Sequence, residues 1–79
     1  MQEFEIKLYC VQDVLGFVAL ATAQPFSVQV GSARHWVNGK SFMEMFALDL
    51  RIHQTVRLDV TEDEFQRFLL DVDRFLVKS

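Results

Sequence analysis

Four segments of the chain alternate apolar and polar residues with a period of two. They are residues 4–8, 26–30, 33–37 and 56–60, of which 33–37 shows the weakest alternation. Since successive side chains of a strand point to opposite faces, each segment predicts a strand with one buried and one solvated face, which is typical of antiparallel sheets. Gly31 and Ser32 lie between the second and third segments and predict a hairpin turn.

Residues 14–21 carry apolar side chains at positions i, i+3, i+4 and i+7, which predicts an amphipathic helix. Gln12 or Asp13 would begin this helix. Pro25 would stop it, because the residue before a proline is pushed out of the helical region.

Two further helices are predicted from their starting residues. The sequence Thr-Glu-Asp-Glu at residues 61–64 is typical of a capping box, and apolar residues at helical spacing follow over residues 65–76. The sequence Ser-Phe-Met-Glu at residues 41–44 predicts a second capping box and a brief helix that ends near Ala47 or Leu48.

The predicted order of elements is β-α-β-β-α-β-α, which favours a two-layer α+β domain. We expect a four-stranded antiparallel sheet with the helices packed on one face, and Phe17 and Phe68 buried between the layers. A length of 79 residues allows one domain over residues 1–79. The eight Phe residues, with Trp36 and Tyr9, supply the apolar bulk for a core that has neither disulfide nor metal.

Composition and charge argue against several classes of protein. The net charge of −3 and the absence of a basic run argue against nucleic-acid binding. The apolar stretches are far shorter than the roughly 20 residues of a membrane helix, and no cleavable leader is predicted. Cys10 is the single cysteine, so it can form neither an internal disulfide nor a thiolate zinc cluster. We therefore expect a cytoplasmic protein without nucleic-acid or membrane partners.

Residues with catalytic chemistry are few. His35 lies in a predicted strand and His53 in a predicted loop, and the sequence places no carboxylate or nucleophile beside either. The glycines do not have the spacing of a phosphate-binding loop, and the acidic run at residues 62–64 lacks the spacing of an EF-hand. We expect no enzyme activity, no metal and no cofactor, and the residues alone favour an interaction domain.

Residues 37–43, Val-Asn-Gly-Lys-Ser-Phe-Met, resemble the regulatory segment of HPr, the histidine-containing phosphocarrier of the bacterial sugar phosphotransferase system. The family pattern is Val-Asn-x-Lys-Ser-Ile-Met-Gly, and this chain has Phe42 in place of the isoleucine. The residues that it keeps are Val37, Asn38, Lys40, Ser41 and Met43. Residues 17–22 also resemble the first helix of that family. The resemblance implies an HPr-like open-faced β-sandwich of order β-α-β-β-α-β-α, which is the order that the alternation predicts independently.

The chain departs from the family where an HPr carries its phosphate. The family has a histidine within Gly-x-His-Ala-Arg-Pro at the start of the first helix, whereas residues 8–13 are Leu-Tyr-Cys-Val-Gln-Asp. Counting back without gaps from Ser41 places Cys10 at the phosphohistidine position. Asp13 would occupy the positive end of the helix dipole and repel a phosphate dianion, which predicts that carrier function is lost. Alternatively, Cys10 is a thiolate phosphoryl acceptor or a small buried apolar residue.

Two other features are implied by the resemblance. Ser41 matches a serine that a dedicated kinase phosphorylates in many HPr proteins, creating a form that docks on a transcription regulator. A helix-capping role would equally account for Ser41, and Glu44, where the family has glycine, would oppose a phosphate. Phe42, Met43 and Phe46 match an exposed apolar surface that meets phosphotransferase partners, although part of such a stripe must pack inward.

We therefore expect a regulatory or adaptor member of the HPr-like family without phosphohistidine carrier activity. The expected partners are proteins: phosphotransferase components, an HPr kinase or a transcription regulator. Two alternatives stay open, namely an active phosphocarrier that uses Cys10 and a binding domain with no link to sugar uptake.

Overall fold

The elements follow one another in the predicted order. The computed structural model describes residues 1–78. Their elements are β1 (Gln2–Ile6), α1 (Val11–Thr22), β2 (Gln29–Ser32), β3 (His35–Asn38), α2 (Phe42–Met45), β4 (Gln54–Leu58) and α3 (Glu62–Asp71), followed by a 3-10 helix at Asp73–Phe75. The chain thus forms a small α+β domain, as the sequence predicts. Over the same residues, no helix has both the length and the apolar character needed to cross a membrane.

The strands form the predicted antiparallel sheet, in the spatial order β1-β4-β2-β3. Its register aligns Phe4, Val56, Val30 and Val37 in one row across all four strands. The four side chains of this row point to the same face of the sheet, and that face is covered. Neighbouring positions point to the opposite face, where Glu3 is exposed. The arrangement is compatible with an open sandwich, in which helices cover one face of a sheet.

Phe68 on α3 joins the two layers. Its ring centroid lies 6.2 Å from that of Phe4 on β1, 6.3 Å from that of Phe17 on α1 and 5.6 Å from that of Phe26. Phe17 and Phe68 are 0% and 1% exposed, so the prediction that both are buried is confirmed. Burying one such ring contributes about 1.5–3 kcal/mol. The contacts also place α1 and α3 on the same face of the sheet.

The prediction of one continuous helix over residues 65–76 is wrong. Helix α3 ends at Asp71, and Leu76 forms an isolated antiparallel bridge with Ile6. On either side of the bridge, the amide of Lys7 donates to the carbonyl of Phe75 at 2.9 Å, and the amide of Val77 donates to the backbone carbonyl of Glu5 at 3.1 Å. Strand β1 lies at the edge of the sheet, so its unpaired backbone groups take up this segment in place of a helix end.

The predicted turn at Gly31 and Ser32 is also wrong, because both residues belong to β2 and pair with Trp36 and His35. The backbone of β3 approaches Gly31 so closely that a Cβ atom there would lie 2.9 Å from the Cα of Trp36. The glycine therefore serves a close strand contact and not a turn. The turn lies two residues later, at Ala33 and Arg34, and Ala33 has a left-handed φ of 50°.

The boundaries of the remaining strands shift relative to the alternating segments. Strands β1 and β4 each begin two residues before the predicted segments 4–8 and 56–60. Strand β3 ends one residue after the predicted segment 33–37. Of residues 26–30, only Gln29 and Val30 lie in β2. Phe26 and Val28 alternate because both pack against the core from the connection after α1, and burial alone does not make that connection a strand.

We predict that Ala33→Gly raises the free energy of unfolding by about 1 kcal/mol. A residue with a side chain is strained at a left-handed φ, and glycine is not. Ala19→Gly is the matched control, because Ala19 is exposed within α1 and glycine there should lower stability by about 1 kcal/mol. Urea unfolding measures both changes. Destabilisation by both substitutions would contradict the left-handed turn.

Candidate functional site

The segment that resembles HPr forms the turn that leads from β3 into α2. The amide of Lys40 donates to the Asn38 side chain at 2.9 Å, and the amide of Ser41 donates to the Asn38 carbonyl at 3.0 Å. The hydroxyl of Ser41 accepts from the amide of Glu44 at 3.3 Å, so Ser41 is the N-cap of α2. Asn38 and Ser41 thus have structural roles of their own at this turn.

The capping box predicted at residues 41–44 is only half formed. The carboxylate of Glu44 accepts from the amide of Asn38 at 3.1 Å and does not reach back to Ser41, whose own amide is already bonded to the carbonyl of Asn38. The helix is also shorter than predicted, since α2 ends at Met45 and is capped by Phe46. By contrast, the box predicted at residues 61–64 is complete, with both Thr61 and Glu64 bonded as expected.

Lys40 connects this turn to the end of α1. Its Nζ donates to the backbone carbonyl of Gln24 at 2.8 Å, just beyond the last turn of the helix. A cation at the C-terminal end of a helix is favoured by the helix dipole and by the unpaired carbonyls there. The side chain of Lys40 therefore links the turn before α2 to the residues that follow α1.

Apolar side chains stand exposed on α2 and at its end. Phe42 is 45% exposed, Met43 86% and Phe46 50%, whereas Met45 and Leu48 are buried. Met45 and Leu48 thus form the part of this apolar segment that packs into the core. We call Phe42, Met43 and Phe46 the α2 apolar surface.

Helix α1 begins earlier than predicted. Cys10 is the extended N-cap residue, and its carbonyl accepts from the amides of Asp13 and Val14 at 3.1 and 3.3 Å. Asp13 is the third residue of the helix, and its carboxylate accepts from the amide of Tyr9 at 2.9 Å. The alternative that Cys10 is a buried apolar residue is wrong, since Cys10 is exposed. The thiol and the carboxylate of Asp13 therefore share the start of this helix.

A basic pocket of about 410 Å³ lies beside Tyr9, and the sequence reasoning did not find it. It is lined by Lys7, Tyr9, His53, Arg74, Phe75, Leu76, Val77 and Lys78. These residues come from the end of β1, the loop before β4 and the segment that covers the β1 edge. Its basic side chains come from three separate stretches of the chain, around residues 7, 53 and 74–78, so no local motif could have revealed it.

Two of its basic side chains are held by neighbouring groups. The Nζ of Lys7 donates to the carbonyl of Leu50 and lies 4.8 Å from the centre of the Tyr9 ring. The guanidinium of Arg74 lies 4.4 Å from the centre of the Phe75 ring. A side chain at Gly16 would collide with this guanidinium, so the glycine lets Arg74 lie against α1.

The other two basic side chains have carboxylate neighbours outside the pocket. The Nζ of Lys78 lies 3.3 Å from Asp73, and the Nδ1 of His53 lies 3.6 Å from Glu5. The sequence had placed no carboxylate beside His53, because the Glu5 partner belongs to a different strand. All four side chains are more than half exposed, so these are solvated pairs that exchange readily.

The loop whose Leu50 carbonyl accepts from Lys7 also contains a pair of charged side chains. Arg51 donates from its side chain and from its amide to Asp49, with both bonds to Oδ1 at 2.9 Å. These hydrogen bonds, helped by the nearby charges of Arg51 and Lys7, lower the pKa of Asp49 to about 2. The carboxylate is therefore ionised at any physiological pH and pairs with Arg51 in the loop beside Lys7.

We predict that Ser41→Ala lowers the free energy of unfolding by about 1 kcal/mol, through the lost bond to the amide of Glu44. Ser27→Ala removes the hydroxyl of an exposed serine outside the helices and should change stability by less than about 0.5 kcal/mol. Chemical denaturation of both variants checks the comparison. Equal effects would show that the cap contributes nothing.

Comparison with known proteins gives no family for this chain. No protein-family model matches it, and no curated protein sequence matches it significantly. The likeness to HPr accordingly rests on the residues quoted from the sequence.

Proposed function

We propose that this chain is an HPr-like regulatory or adaptor domain of the bacterial cytoplasm. Its partners would be proteins of the sugar phosphotransferase system, an HPr kinase or a transcription regulator, and it would carry no phosphohistidine. The proposal is supported by residues 37–43 and by an antiparallel sheet whose helices share one face. The single cysteine is in keeping with a reducing compartment.

The observation that carries the proposal is the α2 apolar surface. Met43 is 86% exposed between two half-exposed phenylalanines, on a helix whose buried side is anchored by Met45. Neighbouring large apolar side chains at a protein surface mark sites of protein interaction. Methionine and phenylalanine are also among the side chains that contribute most at such interfaces. The cluster is therefore the surface through which we expect a partner to bind.

The start of α1 supports the absence of a phosphohistidine. Asp13 already bonds the amide of Tyr9, so a negative charge stands where an HPr would hold a phosphate. A phosphate placed on Cys10 would meet that carboxylate three residues away along the helix, and like charges at close range repel.

The exposure of Cys10 favours a second candidate function. Cys10 is the exposed N-cap residue of α1, and a cysteine sulfur that solvent can reach can act as a nucleophile toward a phosphoryl group. In this alternative the chain is an active phosphocarrier that uses Cys10. The third possibility, a binding domain unrelated to sugar uptake, would use the same α2 apolar surface with a different partner.

Ser41 offers a point of regulation within the proposal. Its hydroxyl caps α2 directly beside the α2 apolar surface, so a phosphate there would add negative charge next to Phe42. The carboxylate of Glu44 would oppose that charge from the same turn. Phosphorylation by an HPr kinase would therefore alter partner binding at the surface that α2 presents.

We predict that adding the first enzyme of the phosphotransferase system, or an HPr kinase, shifts the backbone NMR signals of residues 42–46. Met43→Glu should weaken binding at least tenfold, because a charge would be placed at the centre of the contact. Leu70→Glu is the matched control, since Leu70 is 77% exposed on α3, away from α2. Its affinity should equal that of the unchanged protein.

The proposal fails if neither protein binds, or if the two variants weaken binding equally. Binding that shifts residues of α3 and leaves residues 42–46 unchanged would also contradict it, because the partner would then use another surface.

A further inference from the structure

The basic pocket concentrates positive charge in an acidic chain. The chain has 8 Lys and Arg residues against 11 Asp and Glu residues. The pocket is lined by Lys7, Arg74 and Lys78, together with His53, and by no carboxylate among the residues that the structure describes. Lys78 and His53 have carboxylate neighbours, whereas Lys7 and Arg74 form no ion pair within residues 1–78, so their charges are the ones most available to attract an anion.

We propose that the basic pocket binds a phosphomonoester dianion carried by a small organic molecule. The inference rests on this pocket alone and is independent of the proposed function. Its volume of about 410 Å³ falls within the roughly 300–1,000 Å³ of small-molecule sites.

Arg74 provides the geometry that a phosphate requires. Its guanidinium lies over the Phe75 ring, and its Nη2 lies against Gly16, so both neighbours orient the planar group. Within residues 1–78 it makes no ion pair. A planar guanidinium can donate two parallel hydrogen bonds to two phosphate oxygens.

Lys7 and Lys78 supply the remaining charge for a dianion. The ammonium group of Lys7 uses one donor on the carbonyl of Leu50, which leaves two for a ligand. Lys78 pairs with Asp73 on the exposed side, and such a solvated pair can be exchanged for a doubly charged phosphate. Glu5, beside His53, and Asp73 both lie near the rim and will reduce the affinity for any anion.

The apolar and aromatic residues of the lining would contact the organic part of the ligand. Leu76 and Val77 are half-buried, and the ring of Tyr9 is 78% exposed at the mouth of the pocket. An apolar or aromatic group attached to the phosphate could pack against these side chains. We therefore expect an aryl phosphate to bind more tightly than inorganic phosphate.

NMR titration of the full chain at pH 7.5 and constant ionic strength tests the proposal with inorganic phosphate, phenyl phosphate and benzoate. Phosphomonoesters have a second pKa of about 6 and are dianions at this pH. We expect saturable shifts at Tyr9, His53, Leu76 and Val77. Phenyl phosphate should bind most tightly, and benzoate, with one charge, several-fold more weakly.

Two variants and one control assign the binding to the pocket. Arg74→Gln and Lys78→Gln should each weaken phenyl phosphate binding by about tenfold, because each removes a charge-assisted hydrogen bond. Arg67→Gln makes the same change of net charge on an exposed residue of α3 outside the lining, and should have no effect. Lys78 is exposed, so its variant reports on binding even if replacement of Arg74 disturbs the fold.

Three results would overturn the proposal: no saturable shifts at the pocket, equal binding of benzoate and phenyl phosphate, or an equal loss of affinity in the Arg67→Gln control. The last would show that basic side chains outside the pocket contribute as much to anion binding as those that line it.

Discussion

The packing of Phe68 is the contact on which the rest of the structure depends. Its ring meets rings from β1, from α1 and from the connection that follows α1. Because an isolated helix of ten residues is marginal in water, α3 depends on this burial for its stability. The same contacts place both long helices on one face of the sheet, while α2 lies at the surface, with Met45 buried and Phe42 and Met43 exposed.

The contacts of Phe17 with Phe68 and Phe75 also position the chain beyond α3. Phe75 is buried 5.9 Å from the ring of Phe17, measured between centroids, although it belongs to a 3-10 turn and not to α3. With Phe75 fixed, the backbone continues along the edge of β1, and Arg74 is held between the Phe75 ring and α1. The basic pocket is thus a consequence of how the core ends, and substitutions in the core will alter its shape.

Much of the fold follows from local pattern, and much of the site does not. The apolar periodicity and the capping residues predict the order of elements and the burial of Phe68. This works because strands bury every second side chain and helices bury one face at a spacing of three to four residues. Gly31 is misassigned because the sequence cannot distinguish a glycine needed for a turn from one needed for a close strand contact. Residues 72–76 are misassigned because a 3-10 turn buries Phe75 much as a helix would. The basic pocket joins Lys7 to Lys78, and such a distant pairing is visible only once the chain is folded.

The central claim of the proposed function is that the start of α1 does not accept a phosphoryl group. Cys10 is the N-cap of this helix, and the carboxylate of Asp13 in its first turn already accepts a hydrogen bond from the amide of Tyr9. The most direct measurement is the intact mass of the protein after incubation with phosphoenolpyruvate and the first enzyme of the phosphotransferase system, beside an ordinary HPr that becomes fully labelled. We predict an unchanged mass. An acid-labile or thiol-linked phosphate adduct that forms on the unchanged protein and is lost in Cys10→Ser would contradict the claim and identify Cys10 as the phosphoryl acceptor.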